Sequence, residues 1–61
     1  MNTEMYLEFI RETVADEGIK VADIANKKAL EAGKITTEQY SAAARILVEA
    51  YLGQNEKGGG Q

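Results

Sequence analysis

The segment Ile35-Thr36-Thr37-Glu38-Gln39-Tyr40 carries the strongest local signal in this 61-residue chain. Thr36 and Gln39 have the spacing of a capping box, in which the Thr36 hydroxyl accepts a hydrogen bond from the Gln39 backbone N–H and the Gln39 side chain reaches back to the Thr36 N–H. Ile35 before the cap and Tyr40 after it are placed to form a hydrophobic staple. This pattern predicts that a helix begins at residue 37.

An apolar stripe with helical spacing follows this cap and predicts one face of the helix. Gly53 stands where a helix-ending glycine is expected, so the helix is predicted over residues 37–52. The next residues, 53–61, hold four glycines and no apolar side chain, which predicts a disordered tail after a helical domain over residues 1–52. The residues predicted to pack this helix into a hairpin are Ile35, Tyr40, Ala44, Leu47 and Tyr51.

The first half of the chain carries a second apolar stripe, which keeps its helical phase across Gly18. If a helix ended at Gly18, Asp16 and Glu17 would lie at its C-terminus, where the helix dipole disfavours anions. We therefore predict one long helix over residues 3–32, bent or broken near Gly18, in preference to two separate helices. The stripe residues are Tyr6, Leu7, Ile10, Val14, Val21 and Ile24.

The unequal lengths of the two predicted helices indicate self-association. The long helix would span about 45 Å and the second only about 24 Å, so the second would cover half of the first. The stripe would then leave apolar surface without a partner, which a second chain should cover. The predicted fold is an all-α helical hairpin completed by self-association into a helical bundle, with this stripe as the interface. The alternative is a monomeric three-helix bundle, in which a break at Gly18 lets the first segment fold over the hairpin.

The amino-acid composition argues against catalysis. The chain has no Cys and no His, so Ser-His and Cys-His nucleophile pairs and thiolate zinc sites are excluded. So short a chain rarely encloses a pocket for carboxylate catalysis. We therefore predict a non-catalytic protein without cofactor or metal. Small domains that lack disulfides and metals are commonly stabilised by oligomerisation, and a homo-oligomer is predicted.

The charge and hydropathy of the chain limit the classes of partner and the cellular location that we expect. The formal net charge is −3, with ten acidic and seven basic side chains, which disfavours nucleic acid and anionic membranes as partners. The N-terminus has no signal-peptide pattern, and no apolar run approaches the length of a membrane span. The sequence therefore predicts a cytoplasmic protein without membrane contact whose partner is another protein chain.

The segment Gly33-Lys34-Ile35-Thr36-Thr37-Glu38-Gln39-Tyr40 resembles two groups of small proteins. It is similar to the Gly-Lys-Ile-Thr-x-Glu-Gln-Tyr segment of XkdX-type proteins, which are encoded beside tail genes in phages and prophages. It also resembles the Gly-x-Ile-Thr-x-Glu-Glu-Phe segment of SHOCT-type short helical hairpins. The resemblance implies a phage or prophage origin and an interaction or oligomerisation role, and it carries over no catalytic or binding site.

The function predicted from these observations is a small protein-interaction or oligomerisation protein, such as a phage-encoded accessory or regulatory factor or an inhibitor of a host protein. The alternative is a DNA-binding regulator of helix-turn-helix type. In that alternative the helix after the turn reads bases from its N-terminal part. Gln39 could then contact adenine, although no basic side chain follows on that helix until Arg45.

Overall fold

A computed structural model describes the backbone of residues 2–59 and the side chains of residues 2–54. Helix α1 spans Thr3–Glu17, α2 spans Ile19–Glu31 and α3 spans Thr37–Gly59. The described residues contain no strand, so the prediction of an all-α fold is confirmed. Each helix contacts the other two, and the apolar side chains at their meeting faces form the core.

The first junction lies at Gly18, where α1 ends and α2 begins. The Gly18 backbone has φ +103° and ψ 164°, a region that is essentially restricted to glycine. Its N–H donates to the carbonyl oxygens of Thr13 and Val14 at 3.2 and 3.1 Å, which closes α1. The structure thus has the break that the sequence allowed at Gly18, not the continuous helix that it favoured. Because of this turn, α1 folds back against both other helices.

The second junction, between α2 and α3, follows the local rules for helix ends. Gly33 has φ +74°, and the Lys34 N–H donates to the Ala29 carbonyl at 2.9 Å, as in a Schellman motif. The predicted capping box is confirmed: the Gln39 N–H donates to the Thr36 hydroxyl at 3.1 Å, and the Thr36 N–H donates to Gln39 Oε1 at 2.8 Å. This turn sets α3 antiparallel to α2.

Helix α3 continues beyond its predicted end. The sequence placed the last turn at residue 52, but the helix runs through Gly53 to Gly59. Gly53 has no positive φ, and one glycine inside a helix costs only about 1 kcal/mol relative to alanine. The tail predicted over residues 53–61 is therefore helical as far as Gly59, and residues 60 and 61 lie outside the described part of the chain.

The core is small and draws on all three helices. Its buried apolar side chains are Tyr6, Ile10, Ala22, Ile35, Ala43 and Leu47. Helix α2 buries Ala22 and Asn26, whereas Val21 and Ile24 of the predicted stripe are 41% and 48% exposed. The stripe was continuous only if α1 and α2 shared one helix axis. The break at Gly18 removes that constraint and lets α2 turn a different face to the core.

A buried polar side chain at the centre of this core connects the helices. Asn26 is fully buried; its Oδ1 accepts from the Tyr6 hydroxyl at 2.5 Å, and its Nδ2 donates to the Tyr40 carbonyl at 3.3 Å. These bonds run from α1 through α2 to α3. Burial also raises the pKa of the Tyr6 hydroxyl above its ordinary value, because the ionised form loses its hydration.

We expect Ile10→Ala to destabilise the fold by about 2–5 kcal/mol, since it leaves a cavity at a fully buried site. For a domain of this size, that loss is comparable to the whole free energy of unfolding. Urea titration followed by circular dichroism measures the effect. Ile24→Ala is the matched control, because it truncates the same residue type at an exposed position of α2. Equal losses in the two variants would contradict the core described above.

We expect the wild-type chain to lose stability as the pH rises above about 10, the ordinary pKa of tyrosine. The raised pKa of Tyr6 in the folded state means that the unfolded chain releases this proton first, so alkaline pH favours unfolding. Thermal unfolding between pH 8 and pH 11 measures this dependence. Tyr6→Phe should reduce it, whereas Tyr51→Phe, at an exposed ring, should leave it in place. A Tyr6→Phe variant with an unchanged pH profile would contradict this assignment.

Candidate interaction surface

The polar side chains of the described residues form no cluster with the composition of a metal site. They include no group of three or more His, Cys, Asp or Glu side chains that could hold a metal ion. An ion pair, Lys27 with Asp23 at 3.3 Å, joins two exposed side chains one turn apart on α2 and contributes under about 1 kcal/mol. No described helix is both long and apolar enough to cross a bilayer. The features that remain are apolar.

Seven large apolar side chains of residues 2–54 are exposed. A contiguous exposed apolar patch commonly marks an interaction site. The seven are Met5, Phe9, Val21, Ile24, Val48, Tyr51 and Leu52. The first two lie on α1, the next two on α2 and the last three on α3.

The three exposed side chains of α3 form one face. Val48, Tyr51 and Leu52 have the spacing i, i+3 and i+4, so they lie on one side of the helix. Their exposed fractions are 56%, 56% and 52%. We call these three residues the α3 face. Leu47, directly before them, is the last buried residue among the described side chains of α3.

A groove between α2 and α3 adjoins the α3 face. Its lining is Ile19, Lys20 and Asp23 on α2, with Ala44, Leu47, Val48, Tyr51 and Gln54 on α3. Apolar side chains make up its floor, and one cation and one anion stand at its α2 edge. The groove begins at the Gly18 turn, because Ile19 is the first residue of α2.

The rotation of α3 about its axis explains why this face is exposed. Leu47 is buried in the core, and Val48 and Leu52 follow it by one and five residues. At 3.6 residues per turn they lie about 100° and about 140° around the helix from Leu47, on the side that faces away from the core. Tyr51 lies at the edge of the α2–α3 groove beside Ile19 and Lys20.

A second groove lies between α1 and α2, with different chemistry. Its floor is largely alanine, and Phe9 is its largest exposed apolar side chain. Lys28 and Lys34 line it, so it is positively charged although the whole chain is acidic. It offers less apolar area to a partner than the α3 face does.

The six residues of the interface predicted from the sequence lie in different environments in the structure. Of these, Tyr6 and Ile10 are buried in the core of the single chain, and Leu7 and Val14 pack partly buried against that core. Within the single chain these four residues are covered by α2 and α3, because α1 folds onto both helices. The remaining two, on α2, are exposed on its outer side.

The residues predicted to close the hairpin lie on α3 and the turn before it. Ile35 and Leu47 are buried, and Tyr40 packs partly buried against them in the core. Ala44 is half-buried at the α2–α3 groove. Tyr51 is exposed, belongs to the α3 face and lines the α2–α3 groove.

Gln39 is the side chain that the DNA-binding alternative requires, and it is not free to read a base. It is 7% exposed, takes part in the capping box with Thr36 and donates from Nε2 to the Thr3 hydroxyl at 3.3 Å. Contact with a base edge would require both interactions to break. This arrangement argues against helix-turn-helix recognition through the start of α3.

Of the α3 face, only Tyr51 is among the residues predicted from the sequence; Val48 and Leu52 are not. The signal that was present is their spacing of four residues, with Tyr51 between them on the same side of the helix. That signal could not be interpreted without the tertiary structure. Whether an apolar face is core or surface depends on which side of α3 the neighbouring helices contact.

Comparisons of this chain with protein-family models, curated proteins and solved structures give no match. The resemblance of Gly33–Tyr40 to XkdX-type and SHOCT-type proteins stays a prediction.

Proposed function

We propose that this chain is a small, non-catalytic interaction protein that self-associates, with the α3 face as its contact with a second copy. The observation that carries the proposal is the exposure of Val48, Tyr51 and Leu52 next to an apolar groove. A second copy supplies an apolar surface of the same shape, as two-fold symmetric dimers do. The proposal therefore needs no partner chemistry beyond that of the chain itself.

The strength of this contact can be estimated from the apolar area that it covers. Burying the exposed parts of the α3 face on both copies contributes on the order of 10 kcal/mol. The loss of translational and rotational freedom on association costs a similar amount, about 4–15 kcal/mol. The α3 face alone therefore supports a weak, concentration-dependent dimer.

The proposed role is that of an accessory or regulatory factor of phage or prophage type that acts in the cytoplasm through protein contacts. The resemblance of Gly33–Tyr40 to XkdX-type proteins supports the origin, and the uncovered α3 face supports the mode of action. The burial of Gln39 weighs against the DNA-binding alternative.

We expect wild-type mass, measured by light scattering over a concentration series, to rise from monomer towards dimer. Val48→Asp should raise the dissociation constant at least thirtyfold, which corresponds to roughly 2 kcal/mol at a central contact. Ala15→Asp is the matched control, because it places the same charge at an exposed position of α1. Circular dichroism should show both variants folded.

A wild-type chain that stays monomeric at millimolar concentration would refute self-association. If Val48→Asp and Ala15→Asp weaken the dimer equally, the contact lies elsewhere on the surface. In that case the α1–α2 groove with its two lysines becomes the next surface to test.

A further inference from the structure

The two helix ends that meet at Gly18 lack the charges and the side-chain cap that usually stabilise helix termini. The last turn of α1 holds Asp16 and Glu17 and no basic residue, so the helix dipole meets anions at its negative end. The first turn of α2 holds Lys20 and no acidic residue, and α2 has no side-chain cap. Each of these features opposes ending one helix and starting another at this position.

A continuous helix would remove these penalties. Asp16 and Lys20 would then stand at i and i+4 with the acid on the N-terminal side, which is the favourable order for such a pair. The backbone groups left unpaired at the break would hydrogen-bond along the helix. Local energetics thus favour a straight α1–α2 helix, whereas the burial of Tyr6 and Ile10 favours the fold-back.

Exchange of α1 between two copies satisfies both preferences. We infer that two chains can each straighten at Gly18 and dock α1 onto α2 and α3 of the other copy. This inference rests on the proposed self-association and names its mechanism. The docking surface is the face of α2 and α3 that now holds α1, and its occupant is α1 of a second copy. The contacts are those already present, including the bond from the Tyr6 hydroxyl to Asn26.

The position of the α3 face fits this exchange. The groove beside it is lined by Ile19 and Lys20, which directly follow the hinge. In a symmetric exchanged dimer the two hinges lie close to the two-fold axis. Val48 and Tyr51 of the two copies are then brought towards each other, so apolar residues that are exposed in the single chain become covered. Exchange thus adds the buried area that the α3 face alone lacks.

Gly18→Ala is the direct test. A Cβ at Gly18 would meet no atom within 4 Å, so the substitution acts through the backbone and not through a clash. Alanine destabilises the folded-back state, because it disfavours φ +103°, and stabilises the straight helix, because it has a higher helix propensity than glycine. Both effects act on each chain of the dimer. We expect the dissociation constant to fall by roughly a hundredfold or more. Light scattering measures the mass.

Isotope-filtered nuclear Overhauser spectra of mixed labelled and unlabelled Gly18→Ala chains show whether α1 is exchanged. In a straight helix Tyr6 and Asn26 of one chain are about 30 Å apart, so contacts between them must come from two different chains. Intermolecular Tyr6–Asn26 signals are the expected result. A Gly18→Ala chain that is monomeric with only lower stability, or a dimer with intramolecular signals alone, would overturn the inference.

Two further variants test the inference if Gly18→Ala does not fold. Asp16→Lys places a cation at the end of α1 and repels Lys20 in the straight helix, so the wild-type dissociation constant should rise roughly tenfold. Glu12→Lys is the matched control, because it makes the same charge change at an exposed position within α1 in both states. Equal shifts in the two variants, or no shift in either, would overturn the hinge role of Gly18.

The double variant Gly18→Ala/Val48→Asp separates this inference from the α3-face proposal. A dimer that persists there with intermolecular Tyr6–Asn26 signals supports exchange and shows that the α3 face is dispensable. A wild-type dimer that Val48→Asp dissociates, with intramolecular Tyr6–Asn26 signals only, supports the α3 face and overturns exchange.

Discussion

The hydrogen bonds of Asn26 are the constraint on which the fold depends. Its side chain is fully buried, and a buried amide without partners is costly. It is satisfied only when the Tyr6 hydroxyl of α1 and the Tyr40 carbonyl of α3 meet it together. A slip of any helix by one residue would leave these groups unpaired. The apolar side chains around Asn26 supply most of the stabilisation, while Asn26 fixes the register in which they pack.

That register requires α1 to fold back at Gly18, where local and tertiary preferences conflict. The acids at the end of α1 and the lysine at the start of α2 favour a continuous helix. The core removes Tyr6 and Ile10 from water, which outweighs those small terms. Only glycine can adopt the backbone conformation that connects the two helices. The fold-back of α1 onto the other two helices therefore depends on this one residue.

The candidate interaction surface follows from the way α3 packs against its neighbours. The face of α3 that holds Ala43 and Leu47 is buried, and Val48, Tyr51 and Leu52 are exposed beside it. These residues lie beside the Gly18 turn, so the exposed surface and the glycine at which local and tertiary preferences conflict are at the same end of the molecule.

The features of the fold that depend on a few neighbouring residues can be predicted from the sequence. The capping box of Thr36 and Gln39, the turn at Gly33 and the all-α class are local, and periodicity and capping signals encode them. Tertiary structure alone decided which face of α2 is buried, because that face depends on the rotation of α2 once Gly18 breaks the helix. It also decided that Tyr6 and Ile10 are core residues and that Val48, Tyr51 and Leu52 form the α3 face. The apolar character of a side chain favours its removal from water, but its neighbours in space determine which surface covers it.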